Sequence, residues 1–147
     1  MAGRRSYDGP GEGFVDLRVP FLVLLGARRE HWEHGHAVVS LELREDLSNS
    51  WGAAHGGVIT ALLDAAMAGA AMSADVHESG VVTVNLSVTF VGAASGVLRA
   101  EGRMLRRGRA LVFCEAEIRN DSGELVAQGL GTFKVRRRGE SNGSKPE

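Results

Sequence analysis

The sequence predicts an α+β fold, an antiparallel sheet of five to six strands wrapped around one long central helix. Three observations carry that expectation. The stretch from Gly56 to Ser73 holds one charge, Asp64, and is apolar nearly all round, so it needs cover on most sides. Four later segments alternate with period two and are joined mostly by short turns, which pairs them antiparallel. Apolar residues make up 44% of the 147 and charged residues 24%, the balance of a globular chain with a real core to bury.

The elements follow in order. Pro20 to Gly26 predicts a short helix, with Pro in its first turn and Gly at its end. In Ala37–Leu43, Ala37, Val39, Leu41 and Leu43 share one face of a strand. Asp46 to Ala54 is a loop, and His55-Gly56-Gly57 opens the apolar helix. At 1.5 Å per residue that helix is about 27 Å long, enough to cross a small domain. In Val81–Val91 the pattern puts Val82, Val84, Leu86, Val88 and Phe90 on one face and Thr83, Asn85, Ser87 and Thr89 on the other. Val97–Leu105, Ala110–Arg119 and Leu125–Arg136 are the remaining strands. Arg106-Arg107-Gly108-Arg109 and Asn120-Asp121-Ser122-Gly123 are the turns between them. The polar ends, 1–13 and 139–147, are expected to be flexible, leaving 14–138 as a single domain. A sheet curved around one helix is the hotdog arrangement. It leaves one helix side and one sheet edge in need of a partner, so a dimer is expected.

Composition narrows the function classes. With 17 basic and 18 acidic residues the net charge is −1, too little positive charge to make nucleic acid a default partner. The single Cys114 cannot form an intramolecular disulfide, which suits a reducing cytoplasm. On a predicted strand it is a small buried hydrophobe rather than a nucleophile. Met1–Gly13 carries Arg4, Arg5, Asp8 and Glu12 and no apolar run, so no signal peptide is expected in it. The apolar helix is rich in Ala and Gly and is expected in the core rather than in a membrane. His31, His34 and His36 flank a turn, with no helix to fix their spacing, so no metal site is expected.

Asp64 is the most informative residue. A carboxylate in an apolar helix is costly unless it is paired, hydrogen-bonded or open to a cleft. It is either a structural Asp bonded to nearby backbone or a general base or nucleophile with a raised pKa. At the helix start, the first N–H groups lack intrahelical partners and carry the positive end of the dipole. Gly56 and Gly57 let a substrate oxygen approach them and be polarised, unless the pair only forms a turn. His55 is a cap or a substrate contact. Asn49 is a second donor to the same oxygen or an Asx-turn residue. Thr83 holds a water or sits on a solvated strand face.

Asn49, five residues, His55-Gly56-Gly57 and then Asp64 nine after the His together resemble the signature of the hotdog-fold acyl-CoA thioesterases of the phenylacetate-degradation (PaaI-like) type. Pro20-Phe21…Leu25-Gly26 is similar to that family's N-terminal helix, and Ala127-Gln128-Gly129…Gly131-Thr132-Phe133 to its last strand, so the likeness spans about 20–136. The resemblance implies an acyl-CoA thioesterase without metal or redox cofactor. Asp64 would be base or nucleophile, Gly56 the N–H that polarises the carbonyl, and Asn49 the residue that orients it. Thr83 would position the water, with His55 and Gly57 beside the substrate. It also implies a homodimer or homotetramer whose site is shared, Asp64 and Thr83 facing Asn49 and Gly56 of another copy. One turn departs from the family: Val91 to Gly96 stands where a Leu-Arg-Pro-Gly-like turn is usual. Arg106, Arg107 and Arg109 crowd one hairpin and Lys134, Arg136, Arg137 and Arg138 the last strand, and of these Arg107 and Arg109 are then the candidates for the coenzyme A phosphates. Ala61, Ala65, Ala68 and Ala71 leave room beside Asp64 for an aryl or medium-chain acyl group. The alternatives are a non-catalytic acyl-CoA-binding module on the same fold and a hotdog dehydratase. His-Gly-Gly also occurs in α/β-hydrolases, but the G-x-S-x-G elbow they need is missing.

Overall fold

A helix with almost no polar face has to be wrapped, and here a single sheet does the wrapping. The computed structural model describes residues 19–74 and 80–137. The ends expected to be flexible, 1–13 and 139–147, lie outside them. The chain runs α1 (Pro20–Leu25), β1 (Arg28–Glu33), β2 (His36–Glu42), a 3-10 turn at Glu45–Leu47, α2 (Gly56–Ser73), β3 (Gly80–Phe90), β4 (Val97–Arg107), β5 (Leu111–Arg119) and β6 (Leu125–Arg136). The six strands form one antiparallel sheet in the order β1-β2-β4-β5-β6-β3. The sheet curls so that α2 touches every strand. This is the hotdog architecture of the α+β class.

The core lies between the inner face of the sheet and α2. Val39, Leu41, Leu98, Val112, Ile118 and Phe133 meet Leu62, Leu63, Ala66 and Met67, all of them buried. Small residues let the layers approach closely. A β-carbon on Gly102 of β4 would collide with the Ala66 carbonyl and stand 2.9 Å from the Met67 nitrogen. One on Gly131 of β6 would stand 2.8 Å from the Phe133 ring. The close spacing between helix and sheet therefore depends on missing side chains as much as on the large ones that fill the core. Cys114 is buried in this layer, as expected of a small hydrophobe, and burial pushes its thiol up to about 11.

The structure departs from the sequence expectation at two strands. The sequence reading begins the sheet at Ala37, yet β1 precedes it and makes the His31–His36 segment a hairpin. His34 and Gly35 both take positive φ, 48° and 78°, which is the backbone of a tight two-residue turn. β1 is an edge strand with a mostly exposed outer face. A register shift between Arg29 and His31 also breaks its alternation, so the period-two signal is absent. The second departure is in β3. Thr83 pairs with Phe133 and Asn85 with Thr132, so Val84 is an extra residue, a β-bulge. Parity reverses there. Thr83 shares the inner face with Leu86, Val88 and Phe90, whereas Val82 and Val84 leave the core and are 50% and 58% exposed.

Candidate active site

Along α2 most residues from Val58 onward are buried, but Thr60, Ala61, Asp64, Ala68 and Met72 are only half-buried. Their spacing of three to four residues makes one continuous stripe. The sheet does not cover this stripe, and Asp64 sits in its middle. The carboxylate Oδ1 accepts a hydrogen bond from the Thr83 hydroxyl at 2.7 Å. Burial raises the Asp64 pKa, and the Thr83 hydrogen bond opposes that rise. The two residues meet because of the bulge. With regular pleating from Leu86 back to Thr83, the hydroxyl would point away from α2.

Next to this pair is a cavity of about 300 Å³. Its floor is the helix stripe of Ala61, Asp64, Ala65, Ala68 and Met72. Val81 and Thr83 of β3 form one side, Trp32 of β1 the other, and Phe21 and Leu22 of α1 a partial roof. Ala61, Ala65 and Ala68 line it as the sequence predicts. Ala71 does not, because it faces the core at 1% exposure, and Met72 takes that place. The roof is held by Arg44, whose guanidinium donates to the carbonyls of Leu25 at 2.8 Å and Leu24 at 3.2 Å, the C-terminal end of α1.

At the start of α2, His55 is the N-cap. Its Nδ1 accepts from the Gly57 N–H at 2.8 Å. Gly56 is the first helical residue, where an N–H has no intrahelical acceptor. Asn49 forms an Asx-turn, its Oδ1 accepting from the Trp51 N–H at 2.9 Å and the Ala53 N–H at 3.2 Å. Thus the cap and turn readings of His55 and Asn49 describe their hydrogen bonds in a single chain. Asp64 lies eight positions after Gly56, about 12 Å along the helix axis. One chain therefore brings Asp64 and Thr83 together but holds Gly56 and Asn49 apart from them.

The basic residues fall at the Thr83 end of the sheet. Arg107, Val112, Phe133 and Thr83 form one cross-strand row, which puts Arg107 on the inner face. It stands three strand spacings from Thr83, about 14 Å. Arg109 lies in the exposed turn, where its carbonyl accepts from the Arg137 guanidinium at 3.0 Å.

The thioesterase superfamily family model matches residues 52–127, just over half of the chain. The chain belongs to the thioesterase superfamily. PA0474, a candidate esterase of Pseudomonas aeruginosa, is 32% identical over 124 residues, which cover 82% of this chain and 87% of that one. Acyl-coenzyme A thioesterase 13 of Mus musculus is 26% identical over 98 residues, 65% of this chain and 69% of its own. Among solved structures, the PaaI protein of the Escherichia coli phenylacetic acid degradation operon superposes with a TM-score of 0.75 at 22% identity, covering 80% of this chain and 85% of that one, a likeness of fold.

Membership of the thioesterase superfamily brings thioester hydrolysis as the reaction class. It also accounts for α2, the one described helix long and apolar enough to cross a membrane, as the superfamily's core helix. Sequence reasoning does not assign Phe21, Leu22, Trp32, Met72 or Val81 to the site, though all five line the cavity. Trp32 sits on the strand that alternation does not show. Phe21 belongs to a helix legible only through its Pro and Gly. The signal available for Trp32 was the His34-Gly35 pair, a two-residue turn that implies a strand on each side.

Proposed function

We propose that this chain is an acyl-CoA thioesterase that hydrolyses aryl- or medium-chain acyl-CoA to the free acid and coenzyme A. The observation that carries the reading is Asp64, a carboxylate whose pKa burial raises, hydrogen-bonded by Thr83 and bordering an apolar cavity. The acyl group occupies the cavity, where each buried methylene contributes about 0.8 kcal/mol and acetyl forgoes that binding. The thioester carbonyl lies against the Gly56 N–H, at the positive end of α2, where negative charge on its oxygen is stabilised. As general base, Asp64 takes a proton from water, the water oxygen bonds to the carbonyl carbon, and the carbon–sulfur bond breaks to release the thiolate. As nucleophile, it bonds to that carbon itself, the carbon–sulfur bond breaks to release the thiolate, and water then cleaves the resulting anhydride to the free acid and the Asp64 carboxylate. Thr83 orients the carboxylate on either route. His55 fixes the helix start and Gly57 keeps its approach open, while Asn49 shapes the loop beside the carbonyl.

The distance of about 12 Å from Gly56 to Asp64 along one helix supports a site shared between two copies. So does β3, an edge strand that exposes Val82 and Val84 and is suited to cover by a second chain. The protein is then a homodimer, or a homotetramer of two dimers, acting in the cytoplasm. Arg107 and Arg109 hold the coenzyme A phosphates. Thiol release from acetyl-, hexanoyl-, phenylacetyl- and dodecanoyl-CoA tests the reading. The expected order places phenylacetyl or hexanoyl above acetyl. Binding of acyl-CoA without any thiol release would replace the enzyme with an acyl-CoA-binding module.

A further inference from the structure

We propose that Trp32 is the specificity-determining residue of the acyl cavity, the wall that sets the largest acyl group admitted. This rests on the thioesterase reading for the identity of the ligand, but its geometry is independent of catalysis. Trp32 lies on the inner face of β1, registered against the buried Ala37. Its ring stands 3.9 Å from where a β-carbon on Gly69 of α2 would lie, an ordinary van der Waals distance, so the indole packs over that turn of the helix. It closes the cavity on the side opposite Val81 and Thr83, and its neighbours on the floor, Ala65 and Ala68, are too small to obstruct a ligand.

The wall is held in place from three directions. The Arg29 guanidinium lies 4.7 Å from the ring centroid, a cation–π contact from the same strand. The Gly35 N–H of the β1–β2 turn donates to the Ser73 hydroxyl at 2.9 Å, and that hydroxyl donates to the Ala70 carbonyl at 2.9 Å. These bonds fasten the hairpin to the last turn of α2. The hairpin ladder from Trp32↔Ala37 to Glu33↔His36 completes the support. A residue braced in this way excludes larger ligands instead of moving aside for them. At about 300 Å³ the cavity is at the small end for ligand sites, and an indole is the largest single volume that can be removed from its wall.

The test uses Trp32→Phe, Trp32→Leu and Trp32→Ala in the full chain, with two readouts. The first is kcat/KM across hexanoyl-, octanoyl-, decanoyl-, dodecanoyl- and phenylacetyl-CoA. The second is thermal stabilisation of the same variants by the same thioesters in an Asp64→Asn background, which needs no turnover. Trp32→Ala is expected to move the optimum to longer chains in both, with dodecanoyl rising and phenylacetyl falling by about 10-fold each, and Trp32→Phe to lie between. If Trp32→Ala does not fold, Trp32→Leu carries the comparison. An unchanged optimum in folded variants overturns the assignment even where turnover is brisk. A shifted binding optimum with no turnover in any chain would uphold Trp32 and overturn hydrolysis.

Discussion

At the scale of single residues, the buried carboxylate of Asp64 costs stability, and the proposed reaction draws on it. Its pKa is raised by burial, so the folded state disfavours its ionised form. Its contribution to stability is fully present at low pH and is lost as pH rises through the raised value. Asp64→Asn should therefore melt higher than the parent at neutral pH, and the gain should shrink on acidification. The same substitution should reduce turnover by about 10²–10⁴-fold, the range for a positioned proton-transfer group. Parallel melting curves and thiol release check both halves, and parental turnover would remove Asp64 from the reaction. The acid limb of the pH–rate profile should lie above the ordinary carboxylate range. Thr83→Val removes the hydrogen bond that lowers this pKa, so it should move the limb to still higher pH. A limb that stays in place would mean that Thr83 does not act through Asp64. The landmarks from Asn49 to Asp64 were legible because they are local, carried by one loop and the first turns of one helix. The inward side chain of Thr83 was not, because pattern reading assumes unbroken pleating and one extra residue reverses it.

At the scale of elements, the contact of α2 with β4 is the most demanding. Gly102→Ala puts a methyl group against the Ala66 carbonyl, backbone that cannot move without shifting the helix. The expected cost is about 1–3 kcal/mol, the usual penalty for overpacking a filled core, read from the denaturation midpoint. Gly52→Ala is the comparison, because no neighbour lies within 4 Å of its added carbon and only its positive φ opposes the change. Strands β4, β5 and β6 could be read from sequence because each has one buried and one wet face. β1 could not, because its inward residues are Trp32 and Arg29, a rim pair with no apolar period. The bulge in β3 joins packing to chemistry. Deleting Val84 should restore regular pairing with Thr83 and Leu86 two positions apart and both still on the inner face, so activity should survive. Lost thiol release from a folded deletion variant would mean that the bulge does more than set which face Thr83 takes.

At the scale of the whole molecule, the issue is whether one chain is a complete catalyst. Gly56→Pro answers it together with Asp64→Asn. Proline at the first helical position fits the helix and removes the N–H, its β-carbon meeting the Phe90 ring at 3.4 Å, and His55 already has the extended backbone (φ −59°, ψ 139°) that a following proline requires. Alone it should cost about 10²–10³-fold in kcat, as for the loss of one oxyanion donor. Mixing unfolded Gly56→Pro and Asp64→Asn chains and refolding them should recover activity if sites are shared, since each mixed dimer rebuilds one intact site. No recovery would confine the site to one chain.

The cavity has one further property. Its two side walls, Trp32 and Val81–Thr83, belong to β1 and β3, the opposite edges of the same sheet. These edges are five ladders apart through hydrogen bonds, yet residues of both line one cavity of about 300 Å³. The aperture is therefore the sum of small coiling angles over all six strands, each adjacent pair contributing a rotation of about 20–25°. Such a sheet acts as a clasp whose gap responds to curvature anywhere along it. A substitution in the middle of β5 that alters local coiling should shift acyl-length preference without touching the ligand. A bound acyl group that bridges the gap should slow amide hydrogen exchange at both edges together, in β1 as much as in β3.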